Sequence, residues 1–193
     1  MYAPDQQIRR RAGPLGAAML WLALSTCALA APAAGVCQAS AGLLPEPPAL
    51  QLPVAGVAAR DLRDTFAERR DGDRRGHEAI DILAPRGTAV LAVDDGRIVK
   101  LFPSKPGGIT IYQFDATGQF AYYYAHLDRY AAGLVEGQTV RRGSVIGYVG
   151  SSGNASAGTP HLHFAIFRLG PEKQWWKGEP VNPFGYLGGQ TAK

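Results

Sequence analysis

The chain has 193 residues, a formal net charge of +4 and two cysteines, Cys27 and Cys37. A balance this mild, with no basic stripe interleaved with stacking aromatics, excludes a nucleic-acid binder. No cysteine follows residue 40, so the body of the chain has no internal disulfide and rests on an apolar core.

The N-terminal stretch reads as an export signal. Arg9, Arg10 and Arg11 precede an almost uncharged apolar run from Leu15 to Ala34, and Ala28-Leu29-Ala30 offers an Ala-x-Ala cleavage site. The alternative is an uncleaved N-terminal anchor, because about 20 apolar residues can cross a bilayer. Lipoprotein attachment fits poorly, since Cys27 follows Thr26 and Cys37 follows Val36. In either main case the positive flank favours a cytoplasmic N-terminus and a translocated body. Cleavage after residue 30 removes three Arg and one Asp, which lowers the net charge from +4 to +2. It also leaves Cys37 as a lone thiol.

Residues 31–59 are rich in Ala, Pro and Gly and read as an extended linker. Residues 60–187 have the size of one domain, and 188–193 form a tail. Asp61–Arg69 is expected to make one or two helical turns. From Thr88 onward short strands alternate with turn signals. Thr88–Val93 leads through Asp94-Asp95-Gly96 into Arg97–Phe102, and Lys105-Pro106-Gly107-Gly108 precedes Ile109–Phe114. Phe120–Ala125, Thr139–Arg142, Val145–Val149 and Leu162–Arg168 follow. Strands at this spacing predict a mainly β domain, an antiparallel sheet or barrel.

Four histidines carry the chemistry. His77 and Asp81 form an H-x-x-x-D pattern, His161 and His163 an H-x-H pattern, and His126 ends an aromatic segment. In a strand, residues two apart share a face, so His161 and His163 project to one side while Leu162 enters the core. Two imidazoles and one carboxylate are typical donors to a catalytic zinc, and His77, Asp81 and His163 supply them. His126 and His161 remain to move protons or to stabilise an oxyanion. Each pattern alone arises by chance; all four histidines falling into such patterns does not.

These residues resemble the lysostaphin/LytM-type zinc endopeptidases of peptidoglycan. The resemblance covers about residues 54–187. It runs through Arg75-Gly76-His77-Glu78-Ala79-Ile80-Asp81-Ile82, Ala84-Pro85-Arg86-Gly87-Thr88, Tyr124-Ala125-His126-Leu127, Gly137-Gln138-Thr139-Val140 and Thr159-Pro160-His161-Leu162-His163-Phe164. It implies a compact antiparallel β domain with an open groove over one zinc ion per chain. It assigns His77, Asp81 and His163 as ligands and His126 and His161 as catalytic residues. The implied reaction is hydrolysis of stem-peptide or cross-link bonds in the cell wall. Two positions depart from the pattern: Ala79 stands where the family usually has Gly, and Ala165 where it often has Glu.

Tyr124, Asn154 and Phe66 are candidate groove residues. Tyr124 shares a face with His126 if that strand stays regular, Asn154 sits in the small polar loop Gly150–Gly158, and Phe66 precedes the first ligand. Trp175 and Trp176 either pack or bind glycan. Three functions compete. The first is the zinc endopeptidase, exported to the periplasm or envelope and acting as a monomer on peptidoglycan, with or without a protein activator. The second is a non-catalytic regulator of the same fold that activates a cell-wall amidase; such regulators typically lack the ligands. The third is another exported zinc hydrolase, such as a D-Ala-D-Ala peptidase, whose first His and Asp stand farther apart.

Overall fold

The computed structural model describes residues 44–70 and 75–187. The chain divides into two units, Met1–Gly42 and Leu43–Lys193. The export signal, the first part of the linker, Cys37 and the C-terminal tail lie outside the described residues. Among those described, no helix is long and apolar enough to cross a membrane.

The described residues of the second unit form eleven strands: β1 Arg69–Arg70, β2 Arg75–Gly76, β3 Ile80–Leu83, β4 Ala89–Leu91, β5 Gly96–Ser104, β6 Gly108–Asp115, β7 Phe120–Tyr130, β8 Thr139–Val140, β9 Val145–Val149, β10 His161–Leu169 and β11 Gly178–Val181. β1 and β2 form a small ribbon, and the other nine form one sheet. Its main path is β11-β10-β7-β6-β5-β8, with β3 on β10, β9 on β7 and β4 on β9. Every strand pair is antiparallel. The path does not close on itself, so the fold is an open sheet and not a barrel.

Strand alternation separates core from surface. In β10, Leu162, Phe164 and Ile166 are fully buried, while His161, His163 and Phe167 on the other face are half-buried. Ile80 and Ile82 of β3 enter the same core, joined by Tyr122, Tyr124, Ile98, Ile111 and Ile146.

Two expectations are corrected. The linker reading of residues 31–59 fails for its second half. Leu50 and Val54 are buried in the core, and the backbone from Leu50 to Ala55 bonds to Tyr186, Val93, Leu91 and Ala89. Pro53 is tolerated because its carbonyl accepts from the Leu91 N–H and no donor is needed from it. The helical turns expected over Asp61–Arg69 are also absent. A 3₁₀ turn covers Ala59–Asp61, residues 62–65 have no regular structure, and a single turn at Phe66-Ala67, closed by the Glu68 N–H on the Thr65 carbonyl at 3.1 Å, leads into β1.

Candidate metal centre

The centre lies on the face of the sheet opposite the core, where β3, β7 and β10 meet. His163 of β10 stands in register with Asp81 of β3 on one side and Ala125 of β7 on the other. His77 arrives from the short segment between β2 and β3. Its backbone N–H donates to the Glu68 carbonyl at 2.9 Å, and that of Glu78, at φ 54°, donates to the Phe66 carbonyl at 3.0 Å.

Three side-chain atoms converge. His77 Nε2 lies 3.0 Å from Asp81 Oδ1 and 3.1 Å from His163 Nδ1, and His163 Nδ1 lies 3.1 Å from Asp81 Oδ1. His77 Nδ1 is 2.9 Å from the Thr65 carbonyl, which only accepts. Nδ1 therefore carries the proton, and Nε2 turns a lone pair toward the other two atoms. A triangle of electron-rich atoms this tight needs a positive charge at its centre, and two imidazoles with one carboxylate are a zinc-type donor set. The residues fit a metal ion. Burial acts to raise the pKa of Asp81, but the imidazoles of His163 and His77 at 3.1 and 3.0 Å outweigh it and hold the carboxyl well below the usual range. For His163, burial dominates and pushes the imidazole down despite the Asp81 carboxylate beside it.

Thr65 does more than orient His77. Its hydroxyl accepts from the Asp81 N–H at 3.2 Å and donates to the Ala79 carbonyl at 3.5 Å. One residue thus holds both ends of the H-x-x-x-D segment. Nothing in its local sequence signals this, because it stands 12 positions from His77 and 16 from Asp81.

His126 and His161 stand side by side at the cleft in an edge-to-face contact, with ring centroids 5.0 Å apart. Each directs Nδ1 at a backbone carbonyl, His126 at Ser152 at 2.8 Å and His161 at Thr159 at 2.9 Å. Both therefore keep a lone pair on Nε2. His161 Nε2 is 3.9 Å from Asp81 Oδ1. Burial pushes His126 down to about 4, so its ring is neutral at neutral pH.

His126 reaches the cleft through a β-bulge. Ile109 pairs with Leu127 but Ile111 pairs with Tyr124, so β7 holds one extra residue there, and His126 adopts φ 60°. The bulge reverses the side-chain alternation and corrects the expectation for Tyr124. That side chain is fully buried in the core, where its hydroxyl donates to Gln113 Oε1 at 2.8 Å and accepts from the Val93 N–H at 3.1 Å. Tyr123 takes the cleft position instead, its ring 6.0 Å from that of His163.

The cleft has two lobes that share His77, His126, Asn154 and His163. One continues past His161, Leu83 and Ser156, the other past Tyr123, Ala165 and Phe167. Asn154 of the polar loop thus stands at the cleft. Phe66 does not line it; this residue is half-buried beside the ligand segment. Ala165, almost fully buried, lines the second lobe. Ala79, between His77 and Asp81 in the chain, is fully buried. Two other hollows, beside Arg168 and beside Asp95, gather no histidines.

Comparison with known proteins places these residues in context. The family model described as Peptidase family M23 matches residues 75–183. The L-Ala–D-Glu endopeptidase of Bacillus subtilis (strain 168) is 36% identical over 119 residues, covering 58% of this chain and 36% of that protein. Murein hydrolase activator NlpD of Escherichia coli (strain K12) is 32% identical over 112 residues, covering 58% of this chain and 26% of that protein. This chain therefore matches about a third of the first relative's length and about a quarter of the second's. Among solved structures, the catalytic domain of the antimicrobial peptidase lysostaphin from Staphylococcus simulans aligns with a TM-score of 0.54 at 28% identity. That alignment covers 64% of this chain and 90% of the lysostaphin domain.

Proposed function

The chain belongs to peptidase family M23, and on that premise we propose that it is an exported zinc metalloendopeptidase acting on peptide bonds of peptidoglycan. The observation that carries this reading is the convergence of His77, Asp81 and His163 in one cleft with two further histidines. Arg9–Arg11 and the apolar run behind them support export to the periplasm or envelope. The bond to a D-amino acid in the name of the L-Ala–D-Glu endopeptidase, and murein in that of NlpD, support a cell-wall substrate.

His77, Asp81 and His163 would hold the zinc ion, which when bound polarises a carbonyl and brings the pKa of water to ~7. The remaining work falls to the protein. The extended substrate lies along the cleft, with Asn154 placed to bind its backbone. His161 takes the proton of the attacking water on Nε2, and the Asp81 carboxylate 3.9 Å away stabilises the imidazolium that forms. The same nitrogen then protonates the leaving amine. His126, held neutral by burial, accepts a hydrogen bond on Nε2 and orients the water from beside His161. The backbone carbonyls of Ser152 and Thr159 keep both rings in the tautomer this requires.

A second reading, an amidase-activating regulator, draws on the likeness to NlpD. A regulator has no use for a complete donor set flanked by two oriented imidazoles, so the enzyme is favoured. The test incubates purified full-length protein with peptidoglycan sacculi and identifies released muropeptides by mass spectrometry, beside a His163→Ala control. Bound zinc with cleavage that the variant lacks establishes the enzyme, and the product masses name the bond. Zinc-loaded protein that releases nothing, yet stimulates an added amidase, supports the regulator.

A further inference from the structure

A row of aromatic rings leaves the metal centre across the outer face of the sheet. From His163 of β10 the ring of Tyr123 on β7 is 6.0 Å away. Tyr112 on β6 follows at 4.6 Å and Trp175, in the loop between β10 and β11, at 4.8 Å. Trp176 lies 5.2 Å beyond Trp175, and Phe102 of β5 flanks Trp175 at 5.6 Å. None of these rings belongs to the buried core. Trp176 is 62% exposed and Phe102 39%, while Tyr112, Tyr123 and Trp175 are half-buried. Single exposed aromatics need no explanation, but a contiguous strip joined to a cleft marks a binding surface.

We propose that this row is a saccharide subsite which holds the glycan strand of the substrate while its peptide lies over the metal centre. Three arguments select that occupant. The aromatic residues of the row carry no formal charge, which suits an uncharged N-acetylated sugar better than a stem peptide with its carboxylates. Tyr and Trp rings present flat apolar faces with a polar edge, the pairing that the C–H face and hydroxyls of a pyranose require. The three ring-to-ring steps from His163 to Trp175 span no more than about 15 Å, the reach of four or five extended residues. A short peptide can therefore bridge a sugar on Trp175 and Trp176 to the reacting bond. The inference rests on the cell-wall reading above.

The test separates binding from cleavage. Full-length protein is titrated with tetra-N-acetylchitotetraose, and intrinsic tryptophan fluorescence is followed. Two of the three tryptophans, Trp175 and Trp176, belong to the row. A saturable change is expected, weakened roughly threefold to tenfold in Trp176→Ala and largely restored in Trp176→Phe. The same alanine variant lowers the ratio of activity on sacculi to activity on a sugar-free cross-linked peptide by a similar factor. A fluorescence signal that never saturates overturns the subsite, as does an equal loss on both substrates, which would place peptide on the row. Cleavage without sugar binding removes the subsite alone. Sugar binding without cleavage of any substrate leaves the subsite standing and removes the endopeptidase reading.

Discussion

Thr65→Val tests whether the segment ahead of the ligands builds the metal centre. Valine keeps the shape of threonine and the Thr65 carbonyl still receives His77 Nδ1, so the change isolates the hydroxyl. Without it, the Asp81 N–H loses its acceptor at 3.2 Å and the Ala79 carbonyl loses a donor at 3.5 Å. A partly buried N–H left unsatisfied costs ~1–3 kcal/mol. Asp81 is one corner of the donor triangle, and loss of groups that orient metal ligands typically weakens metal binding by about 10- to 100-fold. Both figures place the expected loss of zinc affinity at one to two orders of magnitude, with far-ultraviolet circular dichroism showing the fold kept. The assay is competition for zinc against a chromogenic chelator, run beside Thr65→Ser. The reasoning is refuted if the valine protein binds zinc within about twofold of wild type, or if the serine protein is as weak as the valine one.

Four further outcomes are expected. Tyr124→Phe leaves the Val93 N–H and Gln113 Oε1 without their partner in the core, so urea denaturation should show a loss of ~2–4 kcal/mol while kcat of the folded protein holds; a selective loss of kcat would return Tyr124 to the cleft. His161→Ala and His126→Ala should each retain zinc by elemental analysis yet lower kcat by about 10²- to 10⁴-fold, and a variant that also lost its metal would be a ligand instead. A protein truncated to begin at residue 60 loses the buried Leu50 and Val54, worth roughly 1.5–3 kcal/mol each, and its melting temperature should fall well below that of a protein beginning at residue 44. The last concerns pH. Unfolded His126 titrates near 6.5 and the folded residue at about 4. Between those values the unfolded chain binds more protons, so stability is full above pH 6.5 and declines as pH falls toward 4, by about 3 kcal/mol at most. In chelator-treated protein, His126→Gln should flatten that slope in urea midpoints, and an unchanged slope would assign it to other groups.

The strands from β4 to β10 are legible in the residues because period-two alternation and Gly-, Asp- and Pro-rich turns are local signals. The donor set is legible for a similar reason. H-x-H in a strand presents both imidazoles on one face, and H-x-x-x-D supplies the remaining donors within one short segment. β3 and β11 carry weaker signals, being four residues each, and Pro180 breaks the pattern of the latter. Leu50–Ala55 looks like linker because it is short, holds Pro53 and lies in a Pro- and Ala-rich stretch; only the sheet edge offered by β4 and the turn after β11 make it structure.

Tertiary structure alone decided three features of the site. The extra residue in β7 turns His126 to the cleft and Tyr124 to the core, and no local propensity marks that bulge, since it exists only in the register against β6. Thr65 becomes a brace of the ligands only when the chain crosses back over β3. The aromatic row joins Tyr112, Tyr123 and Trp175, residues from two adjacent strands and a distant loop, because antiparallel pairing lays them side by side. A sequence states which atoms are available for chemistry; the pairing of strands far apart along the chain sets the distances between them, and those distances bring His77, Asp81 and His163 together as a candidate metal centre with His126 and His161 beside it.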